Sequence, residues 1–405
     1  MKTIKFNSDI DMYDYLDQKL MNGSKITKTL GLSVILDDEL LLEIDSNIIK
    51  KEILYPDYND TFLNVISNIK DYFNNKIDYL FNQKCNKVVI LLLDGLGVNV
   101  LNNNLGDDSF IKKHFYKSIH SIYPSTTAAA TTSIKSGLSP ISSGWTGWEN
   151  YFSEINRDVV LFTGNNFYTS EPTGLSGYKK MPYNMFYDDL DINGYNIEPD
   201  FNKENRSIDD ALNKSLRINK KNERQIQYVY YTEPDSIMHK YGCYSDEAKN
   251  ILASIDKSVC RYASNLTDDT LLIITADHGH CNVLPISLYA CKPILRLLER
   301  NMANDARCIT FKVKNGKNEE FEALFNSLFS NVYKLYKTDD AINLGFFGRK
   351  NDYINPVIDD FLADYVAVAI SNYYFNYSNS SFVFKSHHAG ITLDEMLVPI
   401  CIYKK

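Results

Sequence analysis

The sequence has few of the features that mark disulfide-bonded, membrane-spanning or nucleic-acid-binding proteins. Its seven cysteines are scattered over 405 residues, and none of them forms a Cys-x-x-Cys pair. Cysteines that are odd in number and lack a pairing pattern predict free thiols in a reducing compartment. We therefore expect a cytoplasmic protein.

Long uncharged apolar segments are missing as well. None reaches the roughly 18 residues needed to cross a bilayer, and the N-terminal segment meets Asp9 before any apolar run of signal-peptide length. Acidic residues outnumber basic ones by 51 to 43, which gives a formal net charge of −8. Because phosphate backbones are held mainly by clustered Lys and Arg, we expect no nucleic-acid surface. Because no long apolar segment is present, we also expect no membrane partner.

The sequence does contain apolar segments that alternate with amphipathic helical patterns. The strand candidates are residues 32–36, 87–93, 159–162, 227–231, 271–275 and 398–403. The continuous apolar run at 87–93 is typical of a parallel strand that is covered on both faces. The alternation predicts an α/β fold with three layers, α/β/α, around a mostly parallel central sheet.

A cluster of hydroxyl-bearing residues lies at a predicted helix start. Ser125 or Thr126 is a suitable N-cap, and the alanine-rich run ends at Gly137, a good C-terminal residue for a helix. Thr127 then falls in the first turn, where free N–H groups favour a bound anion. The pattern also fits an ordinary capped packing helix, so its interpretation depends on the residues described next.

Histidine is scarce, with seven residues, and most of them lie in three short segments. Asp235 and His239 are four apart, so one helical turn brings them to the same side, either as a chelating pair or as a surface ion pair. Asp277 and His278 follow the strand at 271–275, and their mixed oxygen and nitrogen ligands suit zinc.

The third segment holds His387 and His388, one of which we expect to be an ordinary surface histidine. Asp94 follows the strand at 87–93; a dinucleotide-binding loop is disfavoured there because Val100 occupies the third glycine position. Open α/β sheets place their sites at the carboxyl ends of the strands. Carboxylates that follow several strands predict a two-metal phosphoryl-transfer site, with ions about 4 Å apart.

The segments just described lie at 94–95, 123–127, 233–242, 276–279 and 388–399, within positions 88–403. In their residues and in their order along the chain they resemble the motifs of the alkaline phosphatase superfamily, and they are most similar to its nucleotide pyrophosphatase/phosphodiesterase branch. The resemblance implies two zinc ions, with manganese as an alternative, and Thr127 as the nucleophile. It implies one ion on Asp94, Thr127, Asp277 and His278, and the other on Asp235, His239 and His388.

The segment after the nucleophile departs from the family pattern. The branch usually has an asparagine about twenty residues after the nucleophile to hold a phosphate oxygen; that position falls near Trp148, so Asn150 is the candidate. Trp145, Trp148 and Tyr151 could stack on a nucleobase or form a hydrophobic lid. The sulfatase branch is disfavoured because the chain lacks a Cys-x-Pro-x-Arg context.

The resemblance implies a metal-dependent phosphodiesterase or nucleotide pyrophosphatase-like hydrolase that acts on a small phosphate-containing substrate, with a nucleotide as a candidate. Only Lys135 is basic between Ser118 and Phe152, which favours diesters over monoesters. The alternatives are a phosphomonoesterase or phosphomutase of the same superfamily and a non-catalytic, metal-stabilised binding protein. We predict an N-terminal extension (1–80), a catalytic core (81–290), an inserted α/β subdomain (291–363) and a final core segment (364–405).

Overall fold

The protein is described here by a computed structural model that covers residues 1–199, 201, 207–378 and 380–405. The strands are β1 (Lys2–Phe6), β2 (Ile26–Leu30), β3 (Ser33–Leu36), β4 (Leu40–Ile44), β5 (Lys87–Leu93), β6 (Phe115–His120), β7 (Glu149–Phe152), β8 (Arg157–Val160), β9 (Asn193–Ile197), β10 (Gln225–Tyr231), β11 (Thr270–Thr275), β12 (Cys281–Asn282), β13 (Leu284–Ser287), β14 (Ala303–Asp305), β15 (Cys308–Phe311), β16 (Tyr333–Lys337), β17 (Tyr365–Ala369), β18 (Tyr373–Asn376), β19 (Ser386–His387) and β20 (Leu397–Lys404). The helices are α1 (Asp9–Met21), α2 (Phe62–Phe73), α3 (Val98–Asn104), α4 (Phe110–Lys113), α5 (Thr127–Ser136), α6 (Pro140–Ser143), α7 (Gly177–Lys180), α8 (Ile208–Asn219), α9 (Asp235–Tyr241), α10 (Asp246–Ser264), α11 (Lys292–Leu295), α12 (Asn318–Phe329), α13 (Thr338–Asn343), α14 (Ile358–Leu362) and α15 (Leu393–Met396).

The central sheet has six strands in the order β6-β20-β11-β5-β10-β9. Strands β11, β5, β10 and β9 are parallel to one another, whereas β20 runs antiparallel to β11 and to β6. Strands β5, β10 and β11 are buried along their whole length. Helices α2, α8 and α10 share one hydrophobic core with them. The predicted α/β/α fold around a mostly parallel sheet is confirmed.

The parallel register aligns the carboxyl ends of three neighbouring strands. Leu93, the last residue of β5, pairs with Tyr231, the last residue of β10. On the other side, Leu92 pairs with Thr275 at the end of β11. The segments that leave these strands therefore begin side by side at one edge of the sheet.

A second six-stranded sheet, in the order β16-β17-β15-β14-β7-β8, is antiparallel throughout. The range 291–363 supplies β14, β15 and β16, but β7, β8 and β17 come from outside it. The predicted subdomain thus shares its sheet with flanking segments, and its boundaries stay a prediction.

The N-terminal residues form a four-stranded sheet, β1-β4-β3-β2, of which the sequence predicted only the strand at 32–36. This sheet and α1 share a hydrophobic core with residues between 286 and 377, whereas α2 packs on the central sheet. All seven cysteines are free thiols, as predicted. Among the described residues, no helix combines the length and the apolar character needed to cross a membrane.

Candidate active site

Three neighbouring strands of the central sheet deliver carboxylates to the same edge. Asp94 directly follows β5, and Asp277 and His278 follow β11. Asp235 is the first residue of α9, just after β10, and its N–H donates to the Asp94 carbonyl oxygen at 3.1 Å. The structure therefore places Asp94, Asp235, Asp277 and His278 at the carboxyl ends of three neighbouring strands.

Helix α5 presents Thr127 to this edge. Thr126 is its N-cap, Thr127 is its first helical residue, and the helix ends at Gly137 with a φ of 75°. The Thr126 hydroxyl makes no capping bond and instead donates to Asp305 Oδ2 at 2.8 Å. The first turn of α5 is thus held by a buried carboxyl group from the second sheet.

The first residue cluster surrounds the Thr127 hydroxyl. Thr127 Oγ1 lies 3.2 Å from His278 Nε2. The same nitrogen is 3.4 Å from Asp94 Oδ1 and 3.4 Å from Asp277 Oδ2. Both of these carboxylate oxygens are buried and have no hydrogen-bond partner among the described residues. One hydroxyl and two carboxylate oxygens therefore lie within 3.4 Å of a single imidazole nitrogen.

The second cluster is centred on Asp235 Oδ1. His280 Nε2 lies 2.6 Å from this oxygen, His239 Nε2 lies 3.3 Å from it, and His388 Nε2 lies 3.7 Å from it. The four residues can direct one ligand atom each to a single ion, and Asp94, Asp235 and His278 can do the same. Asp235 thus belongs to both groups.

His280 is the cluster residue that the sequence argument missed. Its side chain is fully buried, and its Nδ1 has no hydrogen-bond partner in the part of the chain that the structure describes. A signal was present, because residues two apart in an extended segment lie on the same side, and His280 is two residues after His278. His387 also differs from expectation: it is only 7% exposed, so neither histidine of the pair at 387–388 is a surface residue.

Backbone carbonyls and neighbouring side chains orient the histidines and carboxylates of the two clusters. His239 Nδ1 lies 2.9 Å from the Ser386 carbonyl oxygen, and His388 Nδ1 lies 3.1 Å from the carbonyl oxygen of Ser125. Tyr230 donates its hydroxyl to Asp94 Oδ2, on the side away from the first cluster. Such contacts leave the Nε2 atoms free to act as ligands and fix the orientation of the rings.

The buried carboxylates repel one another in the metal-free protein. Burial raises the pKa of Asp94 well above its usual value, and Asp277 and Asp235 raise it further. The pKa of Asp277 is also raised, mainly by burial. Burial opposes ionisation of Asp235 as well, but His239 and His280 lower its pKa well below the usual range. Divalent cations would relieve this repulsion, so the residues present fit metal ions.

Two cavities meet at Thr127. The first, of about 320 Å³, lies beside His239 and His388; the second, of about 500 Å³, lies beside Asp94 and Thr131. Trp148 lines both cavities and is 40% exposed.

Three other predicted site residues lie elsewhere. Trp145 is completely buried, and its Nε1–H donates to the Met181 carbonyl oxygen at 3.1 Å. The Arg300 guanidinium carbon lies over the Tyr151 ring, 3.8 Å from the ring centroid, and Tyr151 lines neither cavity. Asn150 is also fully buried outside the two cavities, and its Nδ2 has no hydrogen-bond partner among the residues that the structure covers.

The fold and the residue clusters define a member of the alkaline phosphatase superfamily, in its nucleotide pyrophosphatase/phosphodiesterase-like branch. Residues 88–389 match the family model of type I phosphodiesterase / nucleotide pyrophosphatase, and the chain belongs to that family. The resemblance predicted from the sequence motifs is confirmed.

Particular relatives match over shorter stretches. Human ectonucleotide pyrophosphatase/phosphodiesterase family member 1 is 28% identical over 186 residues, which cover 41% of this chain and 20% of that protein. Family member 7 of Rattus norvegicus is 42% identical over 60 residues, 14% of each chain. The chain therefore spans a fifth or less of the length of these relatives.

Solved structures share the fold at low sequence identity. An inactive threonine-to-alanine variant of murine ectonucleotide pyrophosphatase/phosphodiesterase 5, in complex with AMP, gives a TM-score of 0.59 at 14% identity and covers 78% of this chain and 87% of that chain. Phosphonoacetate hydrolase from Sinorhizobium meliloti, in complex with phosphonoformate, gives a TM-score of 0.56 at 15% identity and covers 78% of this chain and 89% of that chain.

Proposed function

We propose that this chain is a metal-dependent phosphodiesterase that hydrolyses a small phosphate ester through Thr127. The observation that carries the proposal is the first cluster, in which the Thr127 hydroxyl lies 3.2 Å from His278 Nε2, beside two buried carboxylate oxygens without hydrogen-bond partners. An ordinary helix-capping hydroxyl is not usually surrounded by an imidazole nitrogen and two buried carboxylates. Family membership independently supports phosphate ester hydrolysis.

Asp94, Thr127, Asp277 and His278 would hold one ion, and Asp235, His239 and His388 would hold the other, with His280 as an added candidate. Zinc suits these nitrogen and oxygen ligands, and manganese is the alternative. Bound ions would lower the pKa of the threonine hydroxyl and stabilise charge on the leaving oxygen. The chain itself positions the hydroxyl and orients the imidazoles.

In the proposed reaction the Thr127 oxygen attacks phosphorus in line with the leaving oxygen. A bond forms from Thr127 Oγ1 to phosphorus, the bond from phosphorus to the leaving alcohol breaks, and the threonine proton is given up while the leaving oxygen takes up a proton. Water then attacks phosphorus, the bond from Oγ1 to phosphorus breaks, and a proton from water returns to Oγ1. Asn150 stays the candidate for holding a non-bridging oxygen, since its Nδ2 has no hydrogen-bond partner, although it would have to reach the site from its buried position.

The charges around the two cavities favour diesters over monoesters. Among the described residues, no Lys or Arg lines the first cavity, and only Lys135 lines the second. Lys135 forms an ion pair with Glu198, so its charge is already compensated. The extra negative charge of a monoester would therefore find no uncompensated Lys or Arg among the described residues that line these cavities. Trp148, Phe162 and Tyr178 line the second cavity and make a nucleotide a candidate substrate.

The decisive experiment compares zinc-loaded wild type with Thr127→Ala on aryl phosphate monoesters and aryl nucleotide diesters. We expect turnover of the diester by wild type, its loss on treatment with a chelator, and a decrease of at least about a thousandfold in Thr127→Ala, because no other residue replaces the attacking oxygen. Zinc content should change far less. Thr132→Ala, on the same helix, is the matched control.

The panel also separates the alternatives. Faster turnover of the monoester would identify a phosphomonoesterase or a phosphomutase of the same superfamily. A non-catalytic binding protein predicts bound zinc with no turnover of any ester. Equal rates for Thr127→Ala and wild type would contradict the assignment of the nucleophile.

A further inference from the structure

A cavity of about 320 Å³ lies at the outer edge of the central sheet, and we call it the β6 cavity. Its walls come from β6, which is an edge strand of that sheet, from the first half of α2 and from the turn at 79–82. It shares no lining residue with the two cavities that meet at Thr127. Small-ligand sites usually have volumes of about 300–1,000 Å³, so it is large enough to hold one. The proposed phosphoryl transfer does not account for this cavity.

Three asparagine side chains line the β6 cavity, those of Asn64, Asn68 and Asn82. Asn64 Oδ1 accepts the Thr61 N–H at 3.0 Å in the cap of α2, which leaves its two amide N–H donors available. Asn68 and Asn82 are exposed, and their amides have no hydrogen-bond partner in the described parts of the chain. Each carboxamide offers two donors and an acceptor oxygen. The three amides can therefore both donate to and accept from the hydroxyl groups of a ligand.

Aromatic rings supply the apolar part of the same cavity. Tyr79 and Tyr116 are each 54% exposed, and Phe81 is half-buried. The Phe81 and Tyr116 rings meet edge to face, with centroids 5.5 Å apart and an angle of 80° between their planes. Two nearly perpendicular rings leave no parallel-sided slot for a flat base. An exposed ring face can instead pack against the C–H groups of a puckered sugar ring.

The turn that carries Phe81 has an unfavourable backbone conformation. Leu80 and Gln83 exchange both of their backbone hydrogen bonds, at 3.0 and 2.9 Å, and the two residues between them have φ values of 51° and 59°. Asn82 tolerates this left-handed region, whereas Phe81 is a bulky residue that rarely adopts it. Residues held in such conformations cluster at functional sites, including ligand-binding ones. The turn thus gives a second, separate indication of a ligand site.

The charges in the β6 cavity indicate a neutral ligand. Of the described residues that line it, only Asp60 and Lys117 are charged, and Lys117 Nζ lies 2.6 Å from Asp60 Oδ1. The two charges compensate each other. An anionic ligand such as a phosphate would find no uncompensated cation among the lining residues, and a cationic ligand would find no uncompensated carboxylate. Amides and aromatic rings without net charge are the chemistry that recognises a neutral polyhydroxyl compound.

We propose that the β6 cavity binds a neutral saccharide, whose ring packs on Tyr116 and whose hydroxyl groups form hydrogen bonds with the amides of Asn64, Asn68 and Asn82. The inference goes beyond the proposed function and does not rest on it. Because the cavity shares no residue with the candidate active site, saccharide binding requires neither the Thr127 hydroxyl nor a bound metal ion.

The first test measures binding to the full-length, zinc-loaded protein by saturation-transfer NMR and calorimetry. The probes are the methyl glycosides of glucose, galactose, mannose and N-acetylglucosamine, with maltose, cellobiose and lactose. We expect at least one to bind with a millimolar or lower Kd. Tyr116→Ala and Asn68→Ala should each weaken that binding at least fivefold, whereas Tyr116→Phe keeps the ring and should stay within twofold of wild type.

The matched controls lie outside the cavity. Asn326→Ala also replaces an exposed asparagine inside a helix, and Tyr353→Ala replaces a tyrosine that is 67% exposed. Both should leave saccharide binding unchanged. Circular dichroism should show the same folded content for all variants, because the replaced side chains are exposed.

The second test repeats the titration with Thr127→Ala and with metal-free protein, both of which should bind the saccharide as wild type does. Binding that is lost in either would place the saccharide in the active site and overturn the proposal. No binding of any probe at about 50 mM, or binding that survives both Tyr116→Ala and Asn68→Ala, would also overturn it. Self-association that Tyr116→Ala abolishes, without saccharide binding, would identify a protein contact instead. Failure of the proposed ester hydrolysis would leave the expected saccharide binding unchanged.

Discussion

Replacing Arg307 by methionine would remove one half of an ion pair that lies entirely inside the protein. Arg307 sits between β14 and β15, and its side chain and that of Glu395 are both 0% exposed. Nε and Nη2 donate to the two carboxylate oxygens at 2.6 and 2.7 Å. Glu395 Oε1 also accepts the Gly390 N–H at 2.8 Å, which holds the loop that carries His388. The pair therefore connects the second sheet to a candidate metal ligand.

The structure sets the size of the expected loss. Removing one partner of a buried ion pair costs about 3–5 kcal/mol, because the other charge is left without compensation. Arg307 also donates to the Ser371 carbonyl oxygen at 3.0 Å and to that of Tyr373 at 2.5 Å, so two carbonyls lose their donors. We expect a value at the upper end of this range. In the exposed pair of Arg261 and Asp209, Arg261→Met should cost less than about 1 kcal/mol.

Urea unfolding of the metal-free protein measures these differences. A double variant, Arg307→Met with Glu395→Leu, removes both charges and should be more stable than Arg307→Met alone, since no unpaired charge remains. Zinc titration adds a second measurement, because a displaced loop should weaken the cluster that contains His388. A loss no larger than that of Arg261→Met, or a double variant no more stable than the single one, would refute the reasoning.

Two further predictions concern the histidines. His388→Ala should remove about one zinc equivalent and His387→Ala should not, because His388, unlike His387, has its Nε2 within 3.7 Å of Asp235 Oδ1; metal analysis of both variants decides this, and equal losses would contradict the ligand choice. Burial lowers the pKa of His280 to about 4. Below pH 6.5 the unfolded chain then binds a proton that the folded chain does not, so metal-free stability falls as pH falls. Between pH 7 and 5, denaturant titrations of His280→Gln should show about 2 kcal/mol less of this loss than wild type, and identical pH dependence would rule the mechanism out.

The sequence predicted the parts of the fold that depend on local pattern. The apolar run at 87–93 coincides with β5, and the helix start at Thr126 and its end at Gly137 follow from capping preferences. The candidate ligands follow for the same reason: each of Asp94 and Asp277 comes directly or nearly directly after a buried strand. Their meeting at one edge required only that the strands be parallel neighbours.

The features that were not predicted depend on contacts between distant segments. The antiparallel sheet joins β7 to β14 across about 150 residues of sequence, and no local pattern specifies such a pairing. The same pairing places Glu149 and Asp305 next to each other. Trp145 shows that the orientation of a side chain is not predictable from the sequence alone. An aromatic residue near a site gives the same sequence pattern whether it faces the ligand or the core.

The two clusters differ in ligand chemistry, and the difference bears on the choice between zinc and manganese. The first cluster has two carboxylates, one hydroxyl and one imidazole, whereas the second has three imidazoles and one carboxylate. Carboxylate-rich sites accept manganese, while imidazole-rich sites favour zinc. Asp235 belongs to the second cluster and is also close enough to Asp94 and His278 of the first cluster to share an ion with them. An ion in the second cluster would therefore also reduce the negative charge that acts on Asp94. We therefore expect the two sites to fill with different selectivity but not independently, which titration with zinc and with manganese would test.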